Sequence, residues 1–273
     1  MKNHEITACI VVHNEADLIE RCLKSISDCV KEIIVVHDGA CQDETINICS
    51  KFRCKVFERE FVGEAEPHRA WLYKQVKTQW ILQLDADEFL SENSIRVINS
   101  LNFNDSITCY EFLWRAWNGS RYITKNWPYK KVLFKKDSIE FLAFPHEEVR
   151  IVHGTTKRLG TLLEHQPNYN NYSWKSFRFK WTKWIKIHAR HYLQPLNKID
   201  TFQTQQNAKP HYYNIMKFSP LSIFFLLPYH FIGMMLNGAI TEGIYGLRIS
   251  IMMSCYYSLV SIYVAYYRFL RTG

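Results

Sequence analysis

The sequence predicts an α/β protein with a mostly parallel sheet and flanking helices, followed by an apolar helical extension. Three observations carry that expectation. Short β-branched apolar runs alternate with amphipathic helical stretches through the first hundred residues. Polar clusters follow three of those runs. The charge also changes sign along the chain: residues 1–110 hold 12 Lys+Arg and 18 Asp+Glu (net −6), residues 111–273 hold 22 and 8 (net +14), and the 273-residue chain is +8. With 47% hydrophobic and 22% charged residues, disordered and collagen-like classes are excluded.

Taken in order, ITACIVV at 6–12 reads as a strand buried on both faces. Residues 15–30 place Leu18, Ile19, Cys22, Leu23 and Ile26 at helical spacing. EIIVVHDG at 32–39 is a second buried strand ending in a turn. A helix over 43–52, a strand at KVFERE (55–60) and a helix over 66–77 follow. WILQLDADEFL at 80–90 is a fourth strand running into acidic residues. Parallel strands need right-handed helical crossovers, and ligands of such sheets bind beyond the strands' carboxyl ends.

Three polar groups fall at those ends: His13, Asn14 and Glu15; the stretch from His37 to Asp43; and Asp85, Asp87 and Glu88. If the strand persists, Asp85 and Asp87 point the same way. Two carboxylates there suit Mg²⁺ or Mn²⁺, with the rest of the shell drawn from substrate phosphates. A solvated acidic turn is the competing reading, and the convergence of three clusters weighs against it. Neither G-x-G-x-x-G nor G-x-x-x-x-G-K-[ST] occurs.

The stretches IVVHNEADLIERCLKSI, EIIVVHDGACQDET and WILQLDADEFL resemble, in order and spacing, the nucleotide-sugar half of family 2 glycosyltransferases, which have the GT-A fold. The resemblance implies transfer of a sugar from a nucleotide-diphosphate donor to a hydroxyl, with inversion. It implies Asp87 as metal ligand and Asp85 near ribose and metal. Asp38 or Asp43 would contact the base, and His13, Asn14 and Glu15 would line the pocket. Arg69 lies where relatives carry an Arg/Lys-Asn pair, without the Asn. At 37–40 the chain reads His-Asp-Gly-Ala rather than the family's DDGS or DSGS. The likeness extends to the lipopolysaccharide-core β-glucosyltransferase subgroup through FPHEEVRI (144–151). There Glu147, then Glu148, is the candidate general base for the acceptor hydroxyl; an acidic pair balancing Arg150 is the alternative. His165 would complete the metal shell.

Residues 174–193 read as one helix, with Trp174, Phe177, Trp181, Trp184, Ile185, His188 and Tyr192 along one face and cations over much of the rest. That pattern suits an anionic membrane interface, or a core-packed helix with a solvated basic face. Residues 218–240 and 244–267 are long apolar runs interrupted by prolines and Arg248, with Glu242 between them as a partner for Arg248. A transmembrane hairpin, an interfacial helical pair and soluble helices on the catalytic domain are the alternatives; the EGIYGL stretch (242–247) resembles the subgroup's DG-x-x-G-[LI], with Glu in place of Asp, and favours a membrane-associated helical extension over a spanning hairpin. The sequence thus divides into a catalytic domain over 1–170, its donor half about 1–100 and acceptor half about 101–170, and an extension over 171–273. Eight cysteines without C-x-x-C pairs read as reduced thiols, and the N-terminus reads as lacking a signal peptide. A cytoplasmic location at the membrane face is therefore expected. The expected partners are a nucleotide-diphosphate sugar, a glycan or lipid-linked acceptor and a membrane surface, not nucleic acid. A nucleotidyltransferase, which would need a Gly-rich basic loop, and a non-catalytic membrane-surface protein are the alternatives.

Overall fold

Burial on both faces makes the first apolar run a strand and puts it at the centre of a sheet. The structure is a computed structural model describing residues 3–103, 106–167, 169–204 and 208–272. Strand β1 (Asn3–Val12) lies parallel between β2 (Val30–Asp38) and β4 (Trp80–Asp85), and β3 (Lys55–Arg59) adds to β2 in parallel. Helices α1 (Ala16–Ile26), α2 (Thr45–Lys51) and α3 (Ala65–Gln75) make the crossovers. After β5 (Glu88–Leu90) and α4 (Glu92–Ser100) come β6 (Ile107–Leu113), β7 (Tyr129–Lys135), β8 (Ile139–Leu142), β9 (Arg150–Ile151) and β10 (Thr155–His165). The main sheet has the order β3-β2-β1-β4-β7-β6-β10-β5, with β7 and β5 antiparallel to their neighbours; a small sheet joins β11 (Thr201–Phe202), β8 and β9.

Ile19, Cys22, Leu23 and Ile26 of α1 are fully buried against Ile6, Ala8 and Ile10 of β1. Each such Ile or Leu contributes about 1.5–3 kcal/mol. All eight cysteines are free, five of them buried.

The run at 80–90 is not one strand. β4 stops at Asp85, Ala86 and Asp87 turn, and β5 pairs with β10 at the far edge of the sheet, Glu88 opposite His165. The expected same-side projection of Asp85 and Asp87 from a continuous strand is therefore replaced by a turn.

Contacts group residues 1–114, 129–167 and 200–205 into one unit and 115–128, 168–199 and 206–273 into a second. Residues 115–128 thus group with the helices. The second unit contains α5 (Trp174–Ser176), a π-helical turn over Phe177–Trp181, α6 (Thr182–His191), α7 (Tyr213–Met216), α8 (Ile223–Leu236) and α9 (Gly243–Thr272). The π turn, closed by Thr182 N–H on the Phe177 carbonyl, interrupts the single helix expected over 174–193 without moving its expected face. Trp181, Ile185, His188 and Tyr192 are buried, while Trp174 and Phe179 face outward.

EGIYGL has a backbone explanation. Gly243 has φ +57°, and a Cβ on Gly246 would lie 1.8 Å from the Ala239 carbonyl oxygen. Glu242 accepts from the backbone N–H of Lys125 (2.7 Å) and Asn126 (2.6 Å), in place of the expected pairing with Arg248.

Candidate active site

The carboxyl ends of β1, β2 and β4 bring the three polar clusters together, and α3 secures them. Asn14, just past β1, takes φ +52°, a conformation Asn tolerates. Its N–H donates to His37 Nε2 (3.2 Å) and its Oδ1 accepts from Gln42 N–H (2.8 Å). Exposed His13 bonds the Asp38 carbonyl and packs on Phe61, ring centroids 5.0 Å apart. Glu15 N–H donates to Thr45 Oγ1 (2.8 Å). Burial, followed by the charges of Asp87 and Asp85, pushes the Glu15 carboxyl up to about 7.

Asp43 holds two chain segments together, accepting from Ala16 N–H (3.1 Å) and Thr45 N–H (2.9 Å). Asp38 is buried and turned inward. Its oxygens accept from Val62 N–H (2.6 Å), Gly63 N–H (2.8 Å) and His68 Nε2 (2.8 Å). Burial alone would raise its pKa, but these donors outweigh burial and hold it below the usual carboxylate value. Arg59 donates to His68 Nδ1 (3.1 Å), which puts the imidazole proton on Nε2.

Asp85 sits between two cations: Arg69 bonds Oδ1, and Lys130 Nζ lies 2.9 Å from Oδ2. Burial opposes ionisation, yet Lys130 and Arg69 hold Asp85 far below its ordinary pKa. Glu88 is fully buried. It accepts from Lys130 Nζ (2.6 Å), Trp114 Nε1 (2.7 Å) and Asp85 N–H (2.9 Å), so it anchors Lys130 and closes the turn. Asp87 Oδ2 lies 3.2 Å from His165 Nε2. The Asp87 carbonyl accepts from Gln166 N–H (3.1 Å), and Trp114 stacks on His165 at 4.2 Å.

No three His, Cys, Asp or Glu side chains among the described residues form a metal site on their own. Asp87 and His165 converge from β10 and the turn before β5, and buried His165 Nδ1 has no hydrogen-bond partner among the described residues. A carboxylate and an imidazole fit two positions of an Mg²⁺ or Mn²⁺ shell completed by substrate oxygens. Both oxygens of Asp85 are already engaged by cations.

Glu147 and Glu148 lie in the turn between β8 and β9. Glu147 is mostly buried with a carboxylate oxygen 3.6 Å from Arg150 Nη2; Glu148 is exposed and 2.9 Å from Lys131 Nζ. His146, at φ +62°, donates its N–H to Glu66 Oε1 (3.2 Å). That bond ties the turn to α3, the helix that also carries His68 and Arg69. Of these positions, sequence reasoning missed Lys130, Glu66, His68 and Trp114. A buried polar face on α3 looks like a solvated one in sequence, although a charge beside Pro67 at the helix start was a usable signal.

A mostly parallel, helix-flanked sheet with carboxylates, an imidazole and two cations at its strand ends has the arrangement in which α/β proteins bind ligands. The family model for glycosyl transferase family 2 matches residues 7–156, and the chain belongs to that family. It is 31% identical over 119 residues to an uncharacterized glycosyltransferase of Rickettsia bellii (44% of this chain, 36% of that protein). It is 34% identical over 86 residues to a TPR repeat-containing protein of Synechococcus elongatus (32% and 21%). The chain therefore spans about a third or less of the curated relatives it matches. Among solved structures, it is similar to S. aureus TarS residues 1–349 in complex with UDP, at TM-score 0.43 and 12% identity, covering 92% of this chain and 90% of that one.

Proposed function

We propose that the protein transfers a sugar from a nucleotide-diphosphate donor to a hydroxyl of a glycolipid or cell-envelope glycan, with inversion at the anomeric carbon. The observation that carries the reading is the set Asn14, Asp38 and Asp85 at the ends of the adjoining strands β1, β2 and β4, with Asp87 paired to His165 of β10, in a family 2 chain.

In this account His13, Asn14, Glu15 and the Asp38–Asp43 turn form the nucleotide pocket, and Asp38 shapes its wall by fixing Val62 and Gly63. Arg69 and Lys130 keep Asp85 ionised and offset the negative charge that a diphosphate brings. Asp87 and His165 would hold Mn²⁺ or Mg²⁺, which would supply charge neutralisation to the departing diphosphate. Glu147, or Glu148 in its place, takes the proton of the acceptor hydroxyl. The acceptor oxygen bonds to the anomeric carbon as the carbon–phosphate-oxygen bond breaks and the nucleoside diphosphate leaves. The acceptor is met at the cytoplasmic membrane face. The subgroup suggested by the sequence, the lipopolysaccharide-core type, belongs to this reading.

The test is product formation from a panel of nucleotide sugars with and without Mn²⁺. Glu147→Gln should lose turnover and keep donor binding. Normal turnover in that variant, and in Glu148→Gln, would remove both residues as the base.

A further inference from the structure

We propose that α8, the turn before it and the outer face of α9 insert, without spanning, into the interfacial layer of an anionic lipid bilayer. This deepens the membrane-surface part of the proposed function and rests on it. Helix α8 is apolar on every side. Phe224 is 82% exposed and Leu236 79%, and Phe218, Leu221 and Ile232 are exposed with them. A stable helix surrounded by water does not present such a surface. Helix α9 is apolar on both faces: Ser250, Ser254, Ser258 and Ser261 are buried among Ile249, Met252, Val260 and Val264, while Ile251, Ile262 and Phe269 face out. Ser261 bonds Ser222 at the start of α8 (2.6 Å), and Ser258 bonds back to the Ser254 carbonyl of its own helix (2.8 Å). Small polar residues among apolar ones inside, and apolar residues outside, are what helices packed in an apolar medium show.

Charge complementarity selects the occupant. The helical unit contains fifteen Lys and Arg against a single carboxylate, Glu242, which bonds backbone N–H groups. Two copies of such a surface repel one another, whereas anionic headgroups attract it. Lys186 and Arg190 of α6 lie over Tyr263 and Tyr267 of α9, at 5.6 and 5.1 Å from the ring centroids. A Tyr and cation belt of this kind sits at headgroup level. A groove of about 240 Å³ bounded by Trp174, Phe177, Leu227 and Ile251 gives an acyl chain a place beside these helices. The 14 residues of α8 reach about 21 Å, short of the roughly 30 Å hydrocarbon core. Helix α9, with 30 residues, is long and apolar enough to cross it, but half of its apolar window is buried within the protein, which leaves one outer face for lipid.

The test is co-sedimentation of the full chain with phosphatidylglycerol-containing vesicles and with pure phosphatidylcholine vesicles. Binding should be about tenfold or more tighter to the anionic vesicles and weaken in high salt. Leu221→Glu/Phe224→Glu, at exposed positions, should keep the fold by circular dichroism, keep nucleotide-sugar hydrolysis and lose vesicle binding about tenfold or more. Unchanged vesicle binding in that variant overturns the proposal. So does a vesicle-free dimer that the same variant dissolves, or resistance of the membrane-bound chain to alkaline carbonate. Vesicle binding without nucleotide-sugar hydrolysis would instead count against the transferase reading alone.

Discussion

Replacing Lys130 with Met isolates the electrostatics at the strand ends. Lys130 Nζ lies 2.6 Å from Glu88 and 2.9 Å from Asp85, and Glu88 is fully buried. At an effective dielectric of about 20, opposite charges at that closer distance attract by about 6 kcal/mol before desolvation is counted. Met fills the space of the Lys stem but leaves Glu88 buried with only Trp114 and Asp85 N–H as donors. Removing one partner of a buried pair costs about 3–5 kcal/mol. Burial already holds the Glu88 pKa above its ordinary value, so the variant escapes part of the cost by protonating Glu88. The folded state then holds a proton that the unfolded state has released, and the variant loses stability as pH rises through neutrality. Urea unfolding of Lys130→Met, Glu88→Gln and the double variant across pH 5–8, about the range where such groups titrate, reads this directly. The double variant should recover most of the loss, with a coupling of about 1–3 kcal/mol. A Lys130→Met penalty under about 0.5 kcal/mol, or one that shrinks as pH rises, refutes the reasoning.

Other consequences follow from single contacts. Gly246→Ala should destabilise the helical unit by about 1–3 kcal/mol in thermal melts, because its Cβ meets the Ala239 carbonyl. Burial, then His211, lowers the His230 pKa to about 4. The folded state therefore binds fewer protons than the unfolded one between that value and about 6.5, and stability falls by up to about 3 kcal/mol on acidification. His230→Phe, stacked on Tyr257, should flatten that acid slope; an unchanged slope places its origin elsewhere. Asp38→Asn should loosen the Val62–Gly63 segment, seen as faster amide exchange there and weaker donor binding, with the sheet intact.

The sheet was legible because its strands are buried on both faces and read as continuous apolar runs, such as the ITACIVV of β1. The turn at Ala86 and Asp87 was not, because it depends on β5 pairing with β10, with Glu88 opposite His165 far along the chain. The acid pair announced a site; its cations did not, since Lys130 reaches Asp85 from 45 residues away. Glu66 and His68 on α3 look solvated in sequence, yet each is buried and bonded to a different part of the site. The basic aromatic stretch was legible as helical and its buried face held from Phe177 onward; of that face only Trp174, at its start, points out, and the π turn over Phe177–Trp181 left no mark in the sequence.

The account stands or falls on Asp87. Nucleotide-diphosphate-sugar hydrolysis and donor binding, measured for wild type and Asp87→Ala with and without Mn²⁺, test it most directly. The account predicts cation-dependent binding and turnover in the wild type and loss of both in Asp87→Ala, with an unchanged melting temperature. Equal activity in the variant would contradict it.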